Sequence, residues 1–396
     1  MMHSSGRLVA VAACFCAIIP AGFSRQAADP RGMDRSYLWK RSGRDLLSGF
    51  GNMYNLHVLD TPERPYRYRA WFFGWAVQDC NRHIPGYSAC DALFAARSRT
   101  LDGPWEVSCG QGRWDAEMKP ALWRPIFEPL PSAFDGWHNG DPSVVRIGKR
   151  YYMAYSSVGH NVDGIPFGGA GDRDGSLLCI MGAVSDDGVN WRRSIKPILA
   201  HHEDFGAPNV AGGEAHMHGS YHRPSLLHEG GRFRLWFDYW AGDRDGCSMG
   251  YAECRGDFLD AAQWKVIRAG SKPALRQFPN PDVARVGDRL YAYGDPPEGS
   301  THPWTARKIT EAVSKDGLSW TILGHIRPEP DAAALHVPEA LAERSGRGWK
   351  VHLFYACQIG GEPYDYRYDR IRRMERIVAD PRAPATGGLL GAPFVP

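Results

Sequence analysis

One pattern recurs along the chain: a proline flanked by polar residues, a short apolar run, a glycine-containing turn and an aromatic-rich run. The copies read DPSVVRIGKRYYMAY at 141–155, RPSLLHEGGRFRLWF at 223–237, NPDVARVGDRLYAY at 280–293 and VPEALAERSGRGWKVHLFY at 337–355. Two runs joined by a glycine turn are typical of a β-hairpin. The repeat therefore predicts a fold built by repeating one β unit along the chain.

A second hairpin follows the first in several copies. VSDDGVNW at 184–191 and VSKDGLSW at 313–320 each combine an Asp-Gly turn with a tryptophan, and weaker versions end at Trp105 and Trp264. A first unit is formed by NMYNLHVLD at 52–60 and YRYRAWFFGW at 66–75. Five units of four strands predict an all-β, five-bladed β-propeller. The predicted blade starts are near Asn52, Asp141, Arg223, Asn280 and Val337, and residues up to Pro396 are expected to finish the last blade. A two-domain β-sandwich is the alternative, but it would not explain a repeat along the whole chain.

Composition agrees with this architecture and excludes several others. The 396 residues include 45 Gly and 29 Pro, which argues against coiled coils and helical bundles. Aromatic residues make up 12% of the chain, which excludes a disordered protein. The formal net charge is only +3, so no strong field favours nucleic acid or anionic lipid as a partner. The profile is typical of carbohydrate-active β-proteins.

The N-terminal 28 residues are expected to be an export signal. A short basic start precedes an apolar run at 8–23 and small residues near Ser24 and Ala27. A lipoprotein signal, with a lipid on Cys14, is the alternative. No other apolar run is long enough to span a bilayer. The mature protein is therefore predicted to be secreted or periplasmic, with residues 29–396 forming one catalytic domain.

The cysteines outside this segment are odd in number, so at least one must be unpaired. They are Cys80, Cys90, Cys109, Cys179, Cys247, Cys254 and Cys357. In an exported protein, short loops favour the disulfides Cys80–Cys90 and Cys247–Cys254. Buried free thiols are the alternative, and no spacing typical of a structural zinc site is present.

The residues on either side of the repeated proline are the strongest candidates for chemistry. Innermost strands line the channel of a propeller, and residues two apart in a strand face the same way. The residues before the proline are Asp141, Arg223, Asn280 and Val337, and those after it are Ser143, Ser225, Asp282 and Glu339. We therefore expect three carboxylates and one guanidinium to converge on one mouth of the channel.

Residues suited to a polyhydroxylated ligand lie near these positions. The predicted substrate-binding residues are His138, Asn139, Tyr221, His222, Arg223, Asn280, His336, Trp75 and Trp304. No cofactor is expected to be required, and the lack of a phosphate-binding loop argues against nucleotide use. Two alternatives remain: a structural Ca²⁺ in the channel, and a catalytic metal held by the set Glu214, His216, His218, His222 and His336.

The motif at Asp141 followed by SDDGVNW resembles the arabinanase and β-xylosidase type of glycoside hydrolase, which are the five-bladed propellers of family 43 and its clan relatives. The resemblance implies Asp141 as general base, Asp282 as the residue that tunes the acid, and Glu339 as general acid. The chain departs from the family in placing these acids in the second, fourth and fifth blades instead of the first three. Arg223 also stands in a blade where the family has an acid.

These residues predict a glycoside hydrolase that cleaves an oligo- or polysaccharide by carboxylate acid/base catalysis. An inverting mechanism is expected, because the proposed base and acid lie in non-neighbouring blades. The alternatives are a non-catalytic carbohydrate-binding propeller, and a metal-dependent or phosphorolytic sugar-active propeller. The sequence leaves the sugar, the linkage and the oligomeric state undetermined.

Overall fold

The computed structural model describes residues 33–49, 51–76, 90–130, 134–135, 138–159, 177–200, 221–240, 247–296, 307–346, 348–359 and 369–379. Across these ranges the chain forms five antiparallel sheets, which are the blades of a five-bladed β-propeller. The helical segments are three short 3₁₀ helices at Ser36–Leu38, Pro120–Leu122 and Ala261–Gln263. The predicted fold is confirmed.

The first three blades follow the chain in order. The strands of blade I are β2 (Tyr54–Asp60), β3 (Tyr68–Ala76), β4 (Cys90–Ser98), β5 (Trp105–Ser108) and β6 (Trp114–Asp115). Blade II contains β7 (His138–Ile147), β8 (Arg150–Gly159), β9 (Leu177–Ser185) and β10 (Arg192–Arg193). Blade III contains β11 (Tyr221–Glu229), β12 (Arg232–Trp240), β13 (Cys247–Cys254) and β14 (Trp264–Arg268). Blade I thus has five strands where the repeat predicted four.

The last two blades complete the ring. Blade IV contains β15 (Asp282–Val286), β16 (Arg289–Gly294), β17 (Ile309–Ser314) and β18 (Trp320–Ile326). Blade V contains β19 (Ala334–Ser345), β20 (Gly348–Gln358) and β21 (Asp369–Ala379). Its outermost strand is β1 (Lys40–Arg41), which pairs with β21. The segment before blade I therefore supplies the strand that we expected from the C-terminal side.

The innermost strands are β2, β7, β11, β15 and β19, and each contacts the innermost strand of the next blade. The last of them, β19, contacts β2, so the ring closes. The hydrophobic core is divided into clusters between neighbouring blades. Between blades I and II, for example, the buried Trp71 ring lies 5.7 Å from that of Tyr151, centroid to centroid.

The Asp-Gly turns serve as contact points between blades. Gly188 and Gly317 have φ of 74° and 81°, a backbone conformation that glycine adopts without steric cost. Each turn accepts a hydrogen bond from a tryptophan of the preceding blade. Trp71 Nε1 donates to Gly188 O and Trp236 Nε1 donates to Gly317 O, both at 2.8 Å. The turns predicted from the sequence are present, and each binds the neighbouring blade.

The predicted disulfide Cys247–Cys254 is wrong. The two residues are the first and last of strand β13, and both are free thiols. An extended strand rises by about 3.3 Å per residue, which places them far beyond the distance that a disulfide spans. The Cys80–Cys90 pairing cannot be assigned a geometry, because Cys80 lies outside the described residues.

The expected export segment 1–28, including Cys14, also lies outside the described residues. Among the residues that are described, no helix is long and apolar enough to cross a membrane.

Candidate active site

Each innermost strand, or the short segment that leads into it, bends at one left-handed position. These five residues, here called kink residues, have φ between 46° and 57°: they are Asn55, Asp141, Arg223, Asn280 and Val337. In four blades the kink residue directly precedes the repeated proline. Left-handed backbone is unfavourable for most L-residues and especially for β-branched ones. Its recurrence at arginine and valine indicates that the blade geometry imposes it.

Three kink residues are held by hydrogen bonds that they donate to the preceding blade. The donor is the backbone N–H of the kink residue, and the acceptor is a side-chain oxygen on or just after the second strand of the blade before it. The pairs are Arg223–Ser156 (2.6 Å), Asn280–Asp238 (2.9 Å) and Val337–Asp295 (2.9 Å). The kink residues are therefore fixed by tertiary contacts and not by local sequence.

The structure brings the side chains of Asp141, Arg223 and Asn280 together. Arg223 Nη1 donates a hydrogen bond to Asn280 Oδ1, and Arg223 Nε lies 3.9 Å from Asp141 Oδ2. The guanidinium also lies 5.7 Å from the ring centroid of Tyr54 in blade I. Asp141 is 2% exposed, and its Oδ1 has no hydrogen-bond partner among the described residues. A buried carboxylate oxygen in this state is suited to binding water or a ligand hydroxyl.

A second set of residues lies two positions after the kinks. These belt residues are His57, Ser143, Ser225, Asp282 and Glu339. In three blades the belt side chain accepts a hydrogen bond from a backbone N–H of the next blade. The pairs are Ser143 with Leu226 (2.9 Å), Ser225 with Val283 (2.8 Å) and Asp282 with Ala340 (2.7 Å). Asp282 and Glu339 thus belong to a structural ring as well as to the predicted catalytic set.

The belt is closed by Glu339 and His57. Glu339 Oε2 lies 2.9 Å from His57 Nδ1, and His57 Nε2 lies 2.8 Å from Val144 O in blade II. Asn55 Nδ2 donates to Pro142 O at 3.0 Å. Blade I therefore contacts both the last blade and the strand segment that begins at Asp141.

Burial changes the proton affinity of both belt carboxyl groups. It raises the pKa of Asp282 to about 7, and the nearby Glu339 adds to this increase. Burial likewise raises the pKa of Glu339 well above its ordinary range, and the negative charge of Asp141 adds to this effect. Burial lowers the pKa of His57. These shifts favour the protonated form of the Glu339 carboxyl and the neutral form of the His57 ring.

Three of the predicted substrate-binding histidines are each paired with a buried carboxylate. His138 Nδ1 lies 2.8 Å from Asp91 Oδ2, and His222 Nδ1 lies 2.6 Å from Asp238 Oδ1. His336 Nε2 lies 3.5 Å from Asp369 Oδ1. The His138 contact is a hydrogen bond, which fixes the orientation of that ring. Gly140 makes room for the first of these rings, because a Cβ there would overlap His138 Nε2.

Other predicted binding residues are engaged in the fold. The Asn139 amide donates to Asp135 Oδ1 at 2.5 Å and is fully buried. The Tyr221 ring packs 4.5 Å from that of Phe237, centroid to centroid, in the core between blades II and III. Trp75 is partly buried against the core between blades I and II. Trp304, Glu214, His216 and His218 lie outside the described residues.

The sequence analysis missed His57 and Asn55. Blade I carries Leu56 where the other blades have the repeated proline, so the motif that aligns the other four blades is absent there. The signal that remains is the run Asn55-Leu56-His57, which matches the kink-Xaa-belt spacing of the other blades. That spacing is recognisable once the kinks are known.

One group of close metal-ligand side chains occurs among the described residues: His57, Asp282 and Glu339, whose ligand atoms all lie within 4.8 Å of one another. Ca²⁺ prefers six to eight oxygen ligands. Here one donor is an imidazole with both nitrogens facing oxygen atoms, and burial favours the protonated form of the Glu339 carboxyl. These three residues do not fit a calcium site. A structural Ca²⁺ elsewhere in the channel stays the alternative that the sequence left open.

Solved structures with a similar fold include glycoside hydrolases of low sequence identity. A family 117 glycoside hydrolase from the marine bacterium Zobellia galactanivorans is 12% identical with a TM-score of 0.55, over 91% of this chain and 96% of that chain. The RS223 β-xylosidase is 13% identical with a TM-score of 0.51, over 86% and 98%. An α-L-arabinofuranosidase from Lactobacillus brevis is 10% identical with a TM-score of 0.50, over 82% and 91%.

At these identities the likeness establishes the fold, which is the one implied by the resemblance to family 43. No family model matches the sequence, and no curated protein matches it.

Proposed function

We propose that the protein is a glycoside hydrolase that cleaves an oligo- or polysaccharide by carboxylate acid/base catalysis. The observation that carries this proposal is the buried Asp141 carboxylate, with Oδ1 unpaired among the described residues, in the same channel as Glu339, whose pKa is raised by burial. Glycosidic hydrolysis needs one carboxylate and one carboxylic acid with separated proton affinities. The similarity of fold to glycoside hydrolases supports the same conclusion.

Asp141 is proposed as the base. Its backbone is fixed in the kink, and blade I holds the segment that follows it through Pro142 O and Val144 O. In this role its carboxylate takes a proton from the attacking water.

Glu339 is proposed as the acid, and Asp282 is proposed as the residue that tunes its proton affinity. The raised pKa of Glu339 supports the role of general acid, because such a group must still hold its proton at the working pH. Protonation of the leaving oxygen uses this proton as the C–O bond breaks. The negative charge of Glu339 raises the pKa of Asp282, whereas the hydrogen bond with the Asp282 side chain lowers the pKa of Glu339, so burial and the charge of Asp141 account for the raised pKa of the acid.

Arg223 is proposed to orient the substrate. A guanidinium presents donors in a fixed planar arrangement, and this one is positioned by Asn280 beside Asp141. His138, His222 and His336 are proposed as hydrogen-bonding partners of sugar hydroxyls, and each ring lies beside a buried carboxylate.

An inverting outcome is proposed because blade I lies between blades II and V, which carry Asp141 and Glu339. Inverting enzymes need room for a water between the two carboxyl groups, about 6.5–9.5 Å, whereas retaining enzymes hold them at about 5–5.5 Å. Stereochemistry is read directly from the anomer first released, by proton NMR.

Export by the N-terminal segment is also proposed, and the support for it is the sequence alone. The mass of the mature chain tests it, since cleavage near residue 28 and lipid attachment at Cys14 give different masses.

A substrate screen tests the proposed activity. Purified protein is assayed against aryl glycosides and against plant, algal and host polysaccharides, with Asp141→Asn as the matched control. The proposal expects hydrolysis by the wild type that the control lacks. Binding of a glycan with no hydrolysis by either protein favours a non-catalytic carbohydrate-binding propeller instead.

A further inference from the structure

His57 and Glu339 do not follow the hydrogen-bond pattern of the other three belt residues. In blades II to IV the belt side chain accepts a hydrogen bond from a backbone N–H of the next blade. His57 faces a backbone carbonyl, Val144 O, with one nitrogen, and the Glu339 carboxyl with the other. The His57 ring therefore combines a contact to a backbone carbonyl oxygen with a contact to a titratable carboxyl group.

The hydrogen-bond partners of the two ring nitrogens determine the protonation state of His57. A carbonyl oxygen can only accept, so Nε2 must carry a proton for Val144 O. In a neutral imidazole the other nitrogen, Nδ1, is then an acceptor. Its partner Glu339 Oε2, 2.9 Å away, must supply the proton. The pair is then a neutral histidine and a carboxylic acid.

The alternative is an imidazolium facing a carboxylate. Both side chains are almost completely buried, and burial disfavours both charged forms. Burial lowers the pKa of His57 and raises that of Glu339, which favours the neutral pair. The charged groups that interact with the pair are Asp282 from β15 and Asp141 from β7, with Arg223 from β11 beside Asp141.

We propose that His57 is a positioning residue of this site: Nδ1 keeps the proton on Glu339 while Nε2–H holds the strand that follows Asp141. The inference rests on the proposed function, since it assigns His57 to the acid and the base of that reaction. It also explains why the cluster does not fit Ca²⁺, because a proton occupies the position between Nδ1 and Oε2.

The proton balance over one turnover is complete. Glu339 gives its proton to the leaving oxygen, which keeps the electron pair of the broken C–O bond. Water forms the new bond to the anomeric carbon and gives its proton to Asp141. The Nδ1 lone pair then faces an ionised carboxylate, which is unfavourable, and this favours return of one proton from Asp141 through solvent to Glu339.

Two substitutions of His57 test its contacts with Glu339 and Val144 independently. His57→Gln can keep a donor near the Nε2 position for Val144 O but lacks the acceptor at Nδ1. His57→Asn can place an acceptor near the Nδ1 position but does not reach Val144 O. In His57→Gln the alkaline limb of the kcat/KM profile is expected to move down by about one pH unit, because Glu339 loses its proton more easily. In His57→Asn the limb is expected to stay, while kcat falls by about tenfold to a hundredfold because Asp141 is misplaced.

Ser143→Ala is the matched control. It removes another bond of the belt, to Leu226 N, and has no proton exchange with Glu339. A merely structural role for His57 predicts that both variants lower stability and that neither moves the alkaline limb. An unmoved limb in His57→Gln, or an equal shift in Ser143→Ala, would overturn the proposal.

A measurement on the wild-type protein is independent of folding of the variants and of any substrate. Nitrogen-15 NMR of labelled histidine distinguishes the neutral Nε2–H tautomer from the imidazolium and from the Nδ1–H form. The expected result near pH 6 is the Nε2–H tautomer for His57, unchanged by added Ca²⁺ or Zn²⁺. An imidazolium, an Nδ1–H tautomer or a metal-induced shift would overturn the proposal, whereas absence of any hydrolysis with the expected tautomer would refute only the proposed function.

Discussion

Glu339 Oε2 and His57 Nδ1 lie 2.9 Å apart although the two residues are separated by 282 positions in the chain. This contact joins the innermost strands of the last and first blades. The contact therefore closes the belt of five residues. In the proposal above, the same contact keeps the proton on the Glu339 carboxyl. Changes to either residue are expected to affect both stability and the pH dependence of activity.

The loss of activity in Glu339→Gln is expected to depend on the leaving group of the substrate. Without an acid, turnover of sugars with poor leaving groups should fall by about 10²–10⁴, whereas activated aryl glycosides, which need little protonation, should keep much of their rate. Steady-state assays on both kinds of substrate check this. Equal losses on both would point to a binding role and move the acid assignment to Asp282.

Asp282 is expected to make the protein less stable as the pH rises. Its pKa in the folded protein is about 7, against an ordinary value of 3.8, so the folded state binds the proton more tightly than the unfolded state. Its contribution is therefore fully present below about pH 4 and is lost as the pH rises through about 7. Urea unfolding between pH 4 and 8 should show this decline in the wild type and a flatter profile in Asp282→Asn. Parallel profiles for the two proteins would contradict the assignment.

The turn glycine Gly317 is expected to tolerate no side chain. A Cβ there would lie 2.6 Å from Trp236 Cζ2, and its φ is 81°. The control is Gly148, which has φ of 62° and no atom within 4 Å of the added Cβ. Gly148→Ala should cost about 1 kcal/mol from the backbone alone, and Gly317→Ala about 3 kcal/mol with the clash included. Equal losses in the free energy of unfolding would show that the Trp236 contact is unimportant.

Arg223→Lys is expected to weaken substrate binding more than it slows the chemical step. Lysine keeps the charge but loses the planar set of donors, and one hydrogen bond to a charged group contributes about 1.5–3 kcal/mol. KM should therefore rise by about tenfold or more, with a smaller fall in kcat. A fall in kcat alone would indicate that Arg223 acts on the reacting atoms or on Asp141 instead.

The sequence carried enough information for the architecture. The five blades were predictable from the repeated proline, the glycine turns and the Asp-Gly turns. Each of these features marks a backbone conformation that few residue types adopt. Trp105, Trp264 and Trp320 begin outer strands, and Trp191 directly precedes one, as the second hairpin of the repeat predicted.

What the sequence could not show depends on contacts between distant segments. Strand β1 has two residues and no pattern of its own, so its pairing with β21 was not predictable. The left-handed kink at Val337 runs against the preference of valine and follows from the blade around it. His57 was missed because Leu56 replaces the proline that marks the other blades.

The most direct test of the central claim compares Asp141→Asn with the wild type on a substrate found by the screen. Both kcat and the Kd for the same glycan are measured, the latter by calorimetry. The account predicts a fall in kcat of about 10²–10⁴ with the Kd changed little, because Asp141 acts on the attacking water. Hydrolysis at the wild-type rate by a folded Asp141→Asn protein would contradict it.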